Sequence, residues 1–443
     1  MSREATPTSA PRERILACGV LLGNQKTEHD GELAELIGLV AAAGGQVIGS
    51  PITQRLDRPH AATLLGKGKV AEIREEVDAL EPDAVAVDND LSPAQGRNLE
   101  KALGCRIIDR SELILDIFAK RARTRQAKLQ VELAQNEYMA PRLRRMWTHL
   151  ERTEGAIGTR GPGETQLETD RRLLRKRITD LKRSLGEIEA RKMREVVSRS
   201  DQFTIGLVGY TNAGKSTLLN RLTGSHELVA DMLFATLDTR TRQWGLSDGR
   251  RVLLSDTVGF LGRLPHHLVA SFHATLEETL NADLLLHVVD ASHPDAADQI
   301  AAVDGVLEGL SHTTRAGILV LNKIDAVRDP IELQFLVRNR PERVVHVSAR
   351  SGEGLDRLDA MIRQILDARS ALLRILLPLA DGRLAAQVRK SGVVLEEEVL
   401  GDRELILRVR MDEGALGNLM RAAEGRLIYE VLEPPAEPLF REG

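Results

Sequence analysis

The densest chemistry in this 443-residue chain lies in eight consecutive residues, Gly209-Tyr210-Thr211-Asn212-Ala213-Gly214-Lys215-Ser216. They match Gly-x4-Gly-Lys-Ser in full. The apolar run Phe203-Thr204-Ile205-Gly206-Leu207-Val208 predicts a strand before them, and Ser216-Thr217-Leu218-Leu219-Asn220-Arg221-Leu222 predicts a helix after them. A glycine-rich turn between a strand and a helix lets backbone N–H groups close around phosphates, and the helix N-terminus adds positive potential. Lys215 is placed to reach the β- and γ-phosphates, and Ser216 to ligate Mg2+. By contrast Gly66-Lys67-Gly68-Lys69 lacks the spacer and the final hydroxyl residue, and reads as a turn before a helix.

Three further motifs follow in an order that chance does not produce. Asp256-Thr257-Val258-Gly259 comes after the apolar Val252-Leu253-Leu254. A carboxylate at such a strand end can hold Mg2+ through water, and the Gly259 N–H can meet a γ-phosphate. Asn322-Lys323-Ile324-Asp325 comes after Ile318-Leu319-Val320-Leu321. Asp325 can accept hydrogen bonds from guanine N1–H and N2–H. Adenine presents neither donor, so a carboxylate there would be left unpaired, and the motif selects GTP over ATP. Ser348-Ala349-Arg350, after the strand Val344 to Val347, is expected to meet guanine O6 through backbone N–H groups. Between the P-loop helix and Asp256, Phe234-Ala235-Thr236-Leu237-Asp238 is expected to line the nucleotide. Thr236 would close over Mg2+ and the γ-phosphate, with Thr239 and Thr241 as alternatives. The expected catalytic groups are Lys215, Thr236 and Gly259, the metal ligands are Ser216 and Thr236, and the reaction is hydrolysis of GTP to GDP and phosphate.

Phe260 follows this Asp-x-x-Gly motif, where many GTPases carry a glutamine that orients the attacking water. A phenyl ring cannot hydrogen-bond water in that way. Slow intrinsic hydrolysis, completed by a partner, is the expectation.

The elements around these residues divide the chain into an α/β architecture: a P-loop G domain preceded by a small α/β domain and a long helical hairpin, and followed by a small α+β domain. Residues 1–13 read as a disordered lead. From 14 to 110, strands at Ile15 to Leu22, Val47-Ile48, Ala84 to Asp88 and Cys105 to Asp109 alternate with helices at Glu32 to Ala43 and Lys69 to Leu80. Such alternation implies a mainly parallel sheet. From 111 to 200 strand signals vanish. One long helix is expected from Ser111 to Met139 and a second from Glu164 to Val197, flanking Gly158-Thr159-Arg160-Gly161-Pro162-Gly163. On the second, Leu167, Leu174, Ile178, Leu181, Leu185 and Ile188 recur at spacings of 7, 4, 3, 4 and 3, a coiled-coil-like seam for the first helix. The G domain spans 201–370. Residues 371–443 read strand, helix, strand, strand, helix, strand, with strands at Leu373 to Leu377, Val393 to Val399, Leu405 to Val409 and Arg426 to Val431, a split-βαβ order.

The net charge of −4 excludes a uniformly basic nucleic-acid binder, and 3% aromatic residues exclude a rich base-stacking platform. Any nucleic-acid contact must come from a local patch. Lys120, Arg121, Arg123, Arg125, Lys128, Arg142, Arg144 and Arg145 form one, opposed between residues 120 and 145 by Glu132 and Glu137 alone, and Arg160 joins it from the glycine-rich loop. Such a cluster can track RNA phosphates. Cys18 and Cys105 fit no metal or redox spacing and read as buried thiols in a reducing, cytoplasmic setting. No apolar run approaches about 18 residues, so no membrane span is expected.

The motifs together resemble the HflX family of ribosome-associated GTPases. The resemblance is carried by Leu65-Gly66-Lys67-Gly68-Lys69-Val70, by Gly158 to Glu168, and by Phe234 to Asp238 and Asp256 to Phe260, including the hydrophobic residue in place of glutamine. It covers about residues 14 to 370. It implies binding of the large (50S) ribosomal subunit and its rRNA, splitting or rescue of stalled ribosomes under stress, and GTP hydrolysis stimulated by the ribosome. It also implies that the N-terminal domain and hairpin bind the ribosome, with the hairpin loop reaching towards the peptidyl-transferase region. A monomer is expected. Two other classes share the P-loop: an RNA chaperone or RNA-modification subunit switched by GTP, and a metabolic kinase. Asn322 to Asp325 and the lack of a small-substrate site speak against the kinase.

Overall fold

The computed structural model describes residues 12–23, 33–145, 162–197, 202–225, 234, 240–256, 259–261, 282–310, 317–328, 330–337, 343–401, 403–423 and 427–436. They form two compact units. One comprises residues 1–189, 230–238 and 261–274, and the other 190–229, 239–260 and 275–443.

The first unit opens with β1 (Arg14–Leu22), α1 (Ala34–Ala43), β2 (Gln46–Val47), β3 (Ile52–Leu56), α2 (Lys67–Leu80), β4 (Ala84–Val87), α3 (Pro93–Leu103), β5 (Arg106–Asp109) and α4 (Arg110–Arg121). β1 is central: β2 and β3 pair with one edge of it, β4 with the other, and β5 extends the sheet beyond β4, all parallel. Parallel strands are covered on both faces, which is why Leu16, Cys18, Val20, Val85 and Val87 read as unbroken apolar runs. They pack with Ile73 and Val77 of α2 and Leu99 and Leu103 of α3. Burial pushes the Cys18 thiol up to about 12, and the half-buried Cys105 thiol is also raised.

The single helix expected from Ser111 to Met139 is two. α4 stops at Arg121, and Thr124 caps α5 (Arg125–Met139) by accepting from the Ala127 N–H at 3.1 Å. A side-chain cap offers the backbone a clean start that the good helix formers around it conceal. α4 belongs to the α/β domain, against α1. Its first residue, Arg110, is 1% exposed and donates to Asp88 at 2.6 Å and to Glu35. α5 pairs with α6 (Pro162–Val197) through Leu133, Leu181 and Leu185, with Leu129 and Ile178 at the margin. Ile178, Leu181 and Leu185 of the expected seam thus pack on α5, while the Leu167 side chain lies outside the described residues.

The second unit holds β6 (Thr204–Val208), α7 (Lys215–Thr223), β7 (Arg240–Gly245), β8 (Arg251–Asp256), β9 (Leu284–Asp290), α8 (Ala296–Leu310), β10 (Gly317–Asn322), α9 (Pro330–Val337), β11 (Val344–His346) and α10 (Leu355–Ala368). Its sheet runs β11-β10-β9-β6-β8-β7, parallel except for β7. The remainder is β12 (Ala371–Pro378), α11 (Gly382–Ser391), β13 (Val393–Leu400), β14 (Glu404–Met411), α12 (Glu413–Ala422) and β15 (Ile428–Glu433), an antiparallel sheet in the order β13-β14-β12-β15. That is the split-βαβ arrangement the element order implied. Leu373, Ile375, Leu377, Leu407 and Val409 alternate onto the face that Leu384, Val388 and Leu419 of the two helices cover.

Arg110→Ala strands two carboxylates in the interior. It is expected to destabilise the first unit by about 3–5 kcal/mol, read as a lowered calorimetric transition. An unchanged transition would show that Asp88 and Glu35 do not depend on the guanidinium.

Candidate nucleotide site

The phosphate cradle grows out of β6, between β8 and β9 in the middle of its sheet. Gly209 has φ +148°, and a Cβ there would lie 2.1 Å from the Val288 carbonyl oxygen. Only glycine lets the chain leave the strand so close to β9. Gly214, at φ +91°, opens α7, and a Cβ there would meet the Asn322 amide nitrogen at 2.3 Å. Lys215 is buried inside the loop, where its ammonium donates to the Gly209 carbonyl at 2.9 Å and the Tyr210 carbonyl at 2.7 Å. Desolvation pushes it down to about 8, opposed by the charge of Asp256. Ser216 Oγ donates to Asp256 Oδ2 at 2.7 Å, so two hard oxygen donors meet at one point.

Phe260 acts here through its backbone. Its carbonyl accepts from the Thr211 N–H at 2.6 Å and its N–H donates to the Gly209 carbonyl at 3.0 Å, a parallel bridge between the P-loop and the segment after β8. The ring is buried. Gly259 is thereby laid on the P-loop: a Cβ there would stand 2.9 Å from Thr211 Cα and 3.0 Å from Lys215 Nζ.

The base end is organised by Asn322, at the end of β10. Its buried amide donates to the Ala213 carbonyl at 2.9 Å and accepts from the Ala349 N–H at 3.0 Å. Lys323, at φ 60°, donates to Asp290 Oδ2 at 2.6 Å. Ile324 to Ala326 form one 3-10 turn, on which Asp325 is exposed. This presents a carboxylate beside the cradle.

Some expected contacts take a different form. The Ser348 N–H donates to the Glu353 carbonyl at 2.9 Å, and the Ser348 hydroxyl accepts from the Ser351 N–H at 3.0 Å. Ser348 therefore shapes the loop rather than offering its N–H to a base. Ala349 already serves Asn322, while Arg350 is exposed. Thr241 lies in β7 with its hydroxyl 3.2 Å from that of Ser255, which removes it as a switch threonine. Phe234 belongs to the first unit, buried with its ring edge-on to Phe118 at 4.8 Å, so its side chain is spent on packing. Ala235, Thr236, Leu237, Asp238, Thr239, Thr257 and Val258 lie outside the described residues. The Phe260 bridge and the Asp290–Lys323 pair had no motif to announce them.

Of the basic cluster, Arg142 is removed. Its guanidinium donates to the Leu91 carbonyl at 2.6 Å and Asp109 at 3.1 Å, and stacks 3.6 Å over the Tyr138 ring, tying the 3-10 turn Ala140–Arg145 to the α/β domain. Lys120 donates to the Ala43 carbonyl at the end of α1. Arg123, Arg125 and Lys128 are exposed and Arg121 is half-buried. The side chains of Arg144 and Arg145, and all of Arg160, lie outside the described residues.

A glycine-hinged loop between β6 and α7 with Lys215 folded into it, and an exposed Asp325 on the turn after β10, is the arrangement of a P-loop GTPase. Three family profiles match: one described as GTP-binding GTPase N-terminal over residues 30–119, one as GTP-binding GTPase Middle Region over 121–199, and one as 50S ribosome-binding GTPase over 204–323. The GTPase HflX of Escherichia coli (strain K12) is 46% identical over 383 residues, covering 86% of this chain and 89% of that protein. The GTPase HflX of Magnetococcus marinus is 43% identical over 397 residues, covering 88% and 90%. The chain belongs to the GTPase HflX family and is a GTP hydrolase. Among solved structures, a GTP-binding protein from the archaeon Sulfolobus solfataricus in complex with GDP aligns at 23% identity and a TM-score of 0.42, over 79% of this chain and 98% of that one.

Two outcomes follow. Asp325→Asn should lower GDP affinity roughly 100-fold and admit xanthosine diphosphate; unchanged guanine selectivity in competition binding would remove Asp325 from base readout. Lys215 has a lowered folded value, so between about pH 8 and its ordinary 10.5 the unfolded chain binds more protons and stability rises with pH. Polyphosphate favours the ammonium and reverses the shift. GDP binding should therefore take up a proton at about pH 8.5 and not at about pH 7, seen by calorimetry in buffers of different ionisation enthalpy. Equal uptake at both would contradict it.

Proposed function

We propose that this GTPase binds the large (50S) ribosomal subunit through rRNA, acts in the cytoplasm as a monomer, and splits or rescues stalled ribosomes under stress, with the ribosome stimulating hydrolysis. The observation that carries this reading is where the acids of the hairpin go. Glu132 and Glu137, the carboxylates that oppose the basic cluster in sequence, pair across the seam with Arg177 of α6 at 2.5 Å and Lys182 at 2.9 Å. Arg125 and Lys128 are left facing solvent beside bound-up acids, and α6 adds exposed Arg172, Arg175 and Lys176. A surface of that kind suits a phosphate backbone. The match to the 50S ribosome-binding GTPase profile supports the same partner. Among the described residues, no helix is long and apolar enough to cross a membrane.

Ser216 and Thr236 would hold Mg2+, with Asp256 acting through water; the paired oxygens of Ser216 and Asp256 suit a hard cation. When bound, the ion neutralises charge between the β- and γ-phosphates. The chain's own groups do the rest: Lys215 grips the phosphates, Gly259 offers its N–H, and Asp325 holds the base. The buried Phe260 ring leaves the water without a side-chain amide, which supports slow hydrolysis by the protein alone.

Sedimentation of 70S ribosomes with the protein and GTP, a non-hydrolysable analogue or GDP tests this. The protein should travel with 50S particles in the analogue, with 70S depleted. Failure to travel with any ribosomal particle favours the RNA-chaperone reading. Arg125→Glu with Lys128→Glu should weaken 50S binding roughly tenfold or more and flatten its salt dependence, while GDP affinity stays unchanged. Undiminished binding would remove this face from the interface.

A further inference from the structure

The P-loop carries a hydroxyl with no task in the described structure. Thr211 is 6% exposed, and its Oγ1 is fully buried without a hydrogen-bond partner. Buried hydroxyls are nearly always paired, because leaving one unpaired costs stability that an isosteric valine would not. The residue is not in a casual place. A Cβ at Gly259 would stand 2.9 Å from Thr211 Cγ2 and 3.0 Å from Lys215 Nζ. The Thr211 methyl and the Lys215 ammonium thus flank one point against Gly259, the glycine whose N–H the proposed function gives to the γ-phosphate, and the hydroxyl sits on the same side chain. The Phe260 carbonyl fixes the Thr211 backbone there by its 2.6 Å bond, while the Phe260 ring is buried and apolar.

We propose that the Thr211 hydroxyl is a catalytic group of this GTPase: it hydrogen-bonds the attacking water at the γ-phosphate, the task that Phe260 cannot perform. In the step it serves, the water oxygen bonds to the γ-phosphorus as the bond to the β–γ bridging oxygen breaks. GDP leaves with that electron pair, and the water proton ends on the released phosphate. Thr211 neither gains nor loses a proton; it accepts a hydrogen bond from the water and donates its own to a γ-phosphate oxygen. The proposal rests on GTP hydrolysis by this chain and not on the ribosomal partner, so it is tested on both the free protein and the protein with 50S subunits.

Thr211→Val keeps the shape and removes the hydroxyl, and Thr211→Ser keeps the hydroxyl. The valine variant should lose roughly 10- to 100-fold in kcat, with KM and GDP affinity within about threefold of the parent. It should also fail to trap GDP with aluminium fluoride, and should melt at or above the parent temperature. The serine variant should recover most of the rate. If the valine variant does not fold, Thr211→Ala supplies the same comparison. Parental turnover in the valine or alanine variant overturns the proposal. So does a serine variant as slow as the valine, or loss of GDP affinity alongside the rate, which would make Thr211 a strut of the loop. A loss seen only with 50S subunits would assign the hydroxyl to ribosome coupling and overturn it equally.

Discussion

One side-chain amide holds the nucleotide end of this protein together. Asn322 bonds the Ala213 carbonyl of the P-loop with its nitrogen and the Ala349 N–H of the base loop with its oxygen, fully shielded from water. Donating and accepting at once is a task for an amide; a carboxylate could only accept. The bridge exists because β10, β9 and β6 lie side by side, which brings the ends of β10 and β6 within reach. It needs Gly214, since any Cβ there would press into the amide. The spacing between the P-loop and the turn that carries Asp325 is thus set by a buried bond.

From that frame the functions separate. At one end of the site the P-loop backbone folds around Lys215, and at the other Asp325 stands exposed on a short turn. The position usually reserved for water handling holds Phe260, whose backbone knits the Asp-x-x-Gly segment to the P-loop while its ring leaves the aqueous side. A residue useless as a side-chain catalyst still shapes the site through its peptide groups.

What the sequence disclosed tracks how local each signal is. The P-loop, Asp256, Asn322 to Asp325 and the strands before them are contiguous, and backbone requirements leave little choice of residue. The middle of the hairpin seam was legible because Ile178, Leu181 and Leu185 repeat at helical spacing and the facing Leu133 rewards it. β3 was missed because Ile-Thr-Gln-Arg-Leu presents no apolar run, and α3 because Gly96 and Asn98 dilute its pattern despite a Ser92–Gln95 capping box. The break before Thr124 depends on one hydroxyl among strong helix formers. The loss of Arg142 to Asp109 and Leu91 joins residues 33 and 51 positions apart, and the Phe260 bridge is made by peptide groups every residue possesses. Neither could leave a mark in a single sequence.

Among the described residues the C-terminal sheet has two open edges, β13 and β15, and exposed edges invite strands from other molecules. Here the middle of β13 is Glu396-Glu397-Glu398, every one exposed, and β15 carries Glu430 and Glu433. Arg408 and Arg389 pair with the first two from within the domain, at 2.6 and 2.5 Å. A second copy laid antiparallel along β13 would bring carboxylate against carboxylate where its backbone groups sought partners. The carboxylates sit among exposed apolar side chains, Leu395, Val399 and Leu400 on β13 and Ile428, Val431 and Leu432 on β15, which are the groups that would otherwise favour an added strand.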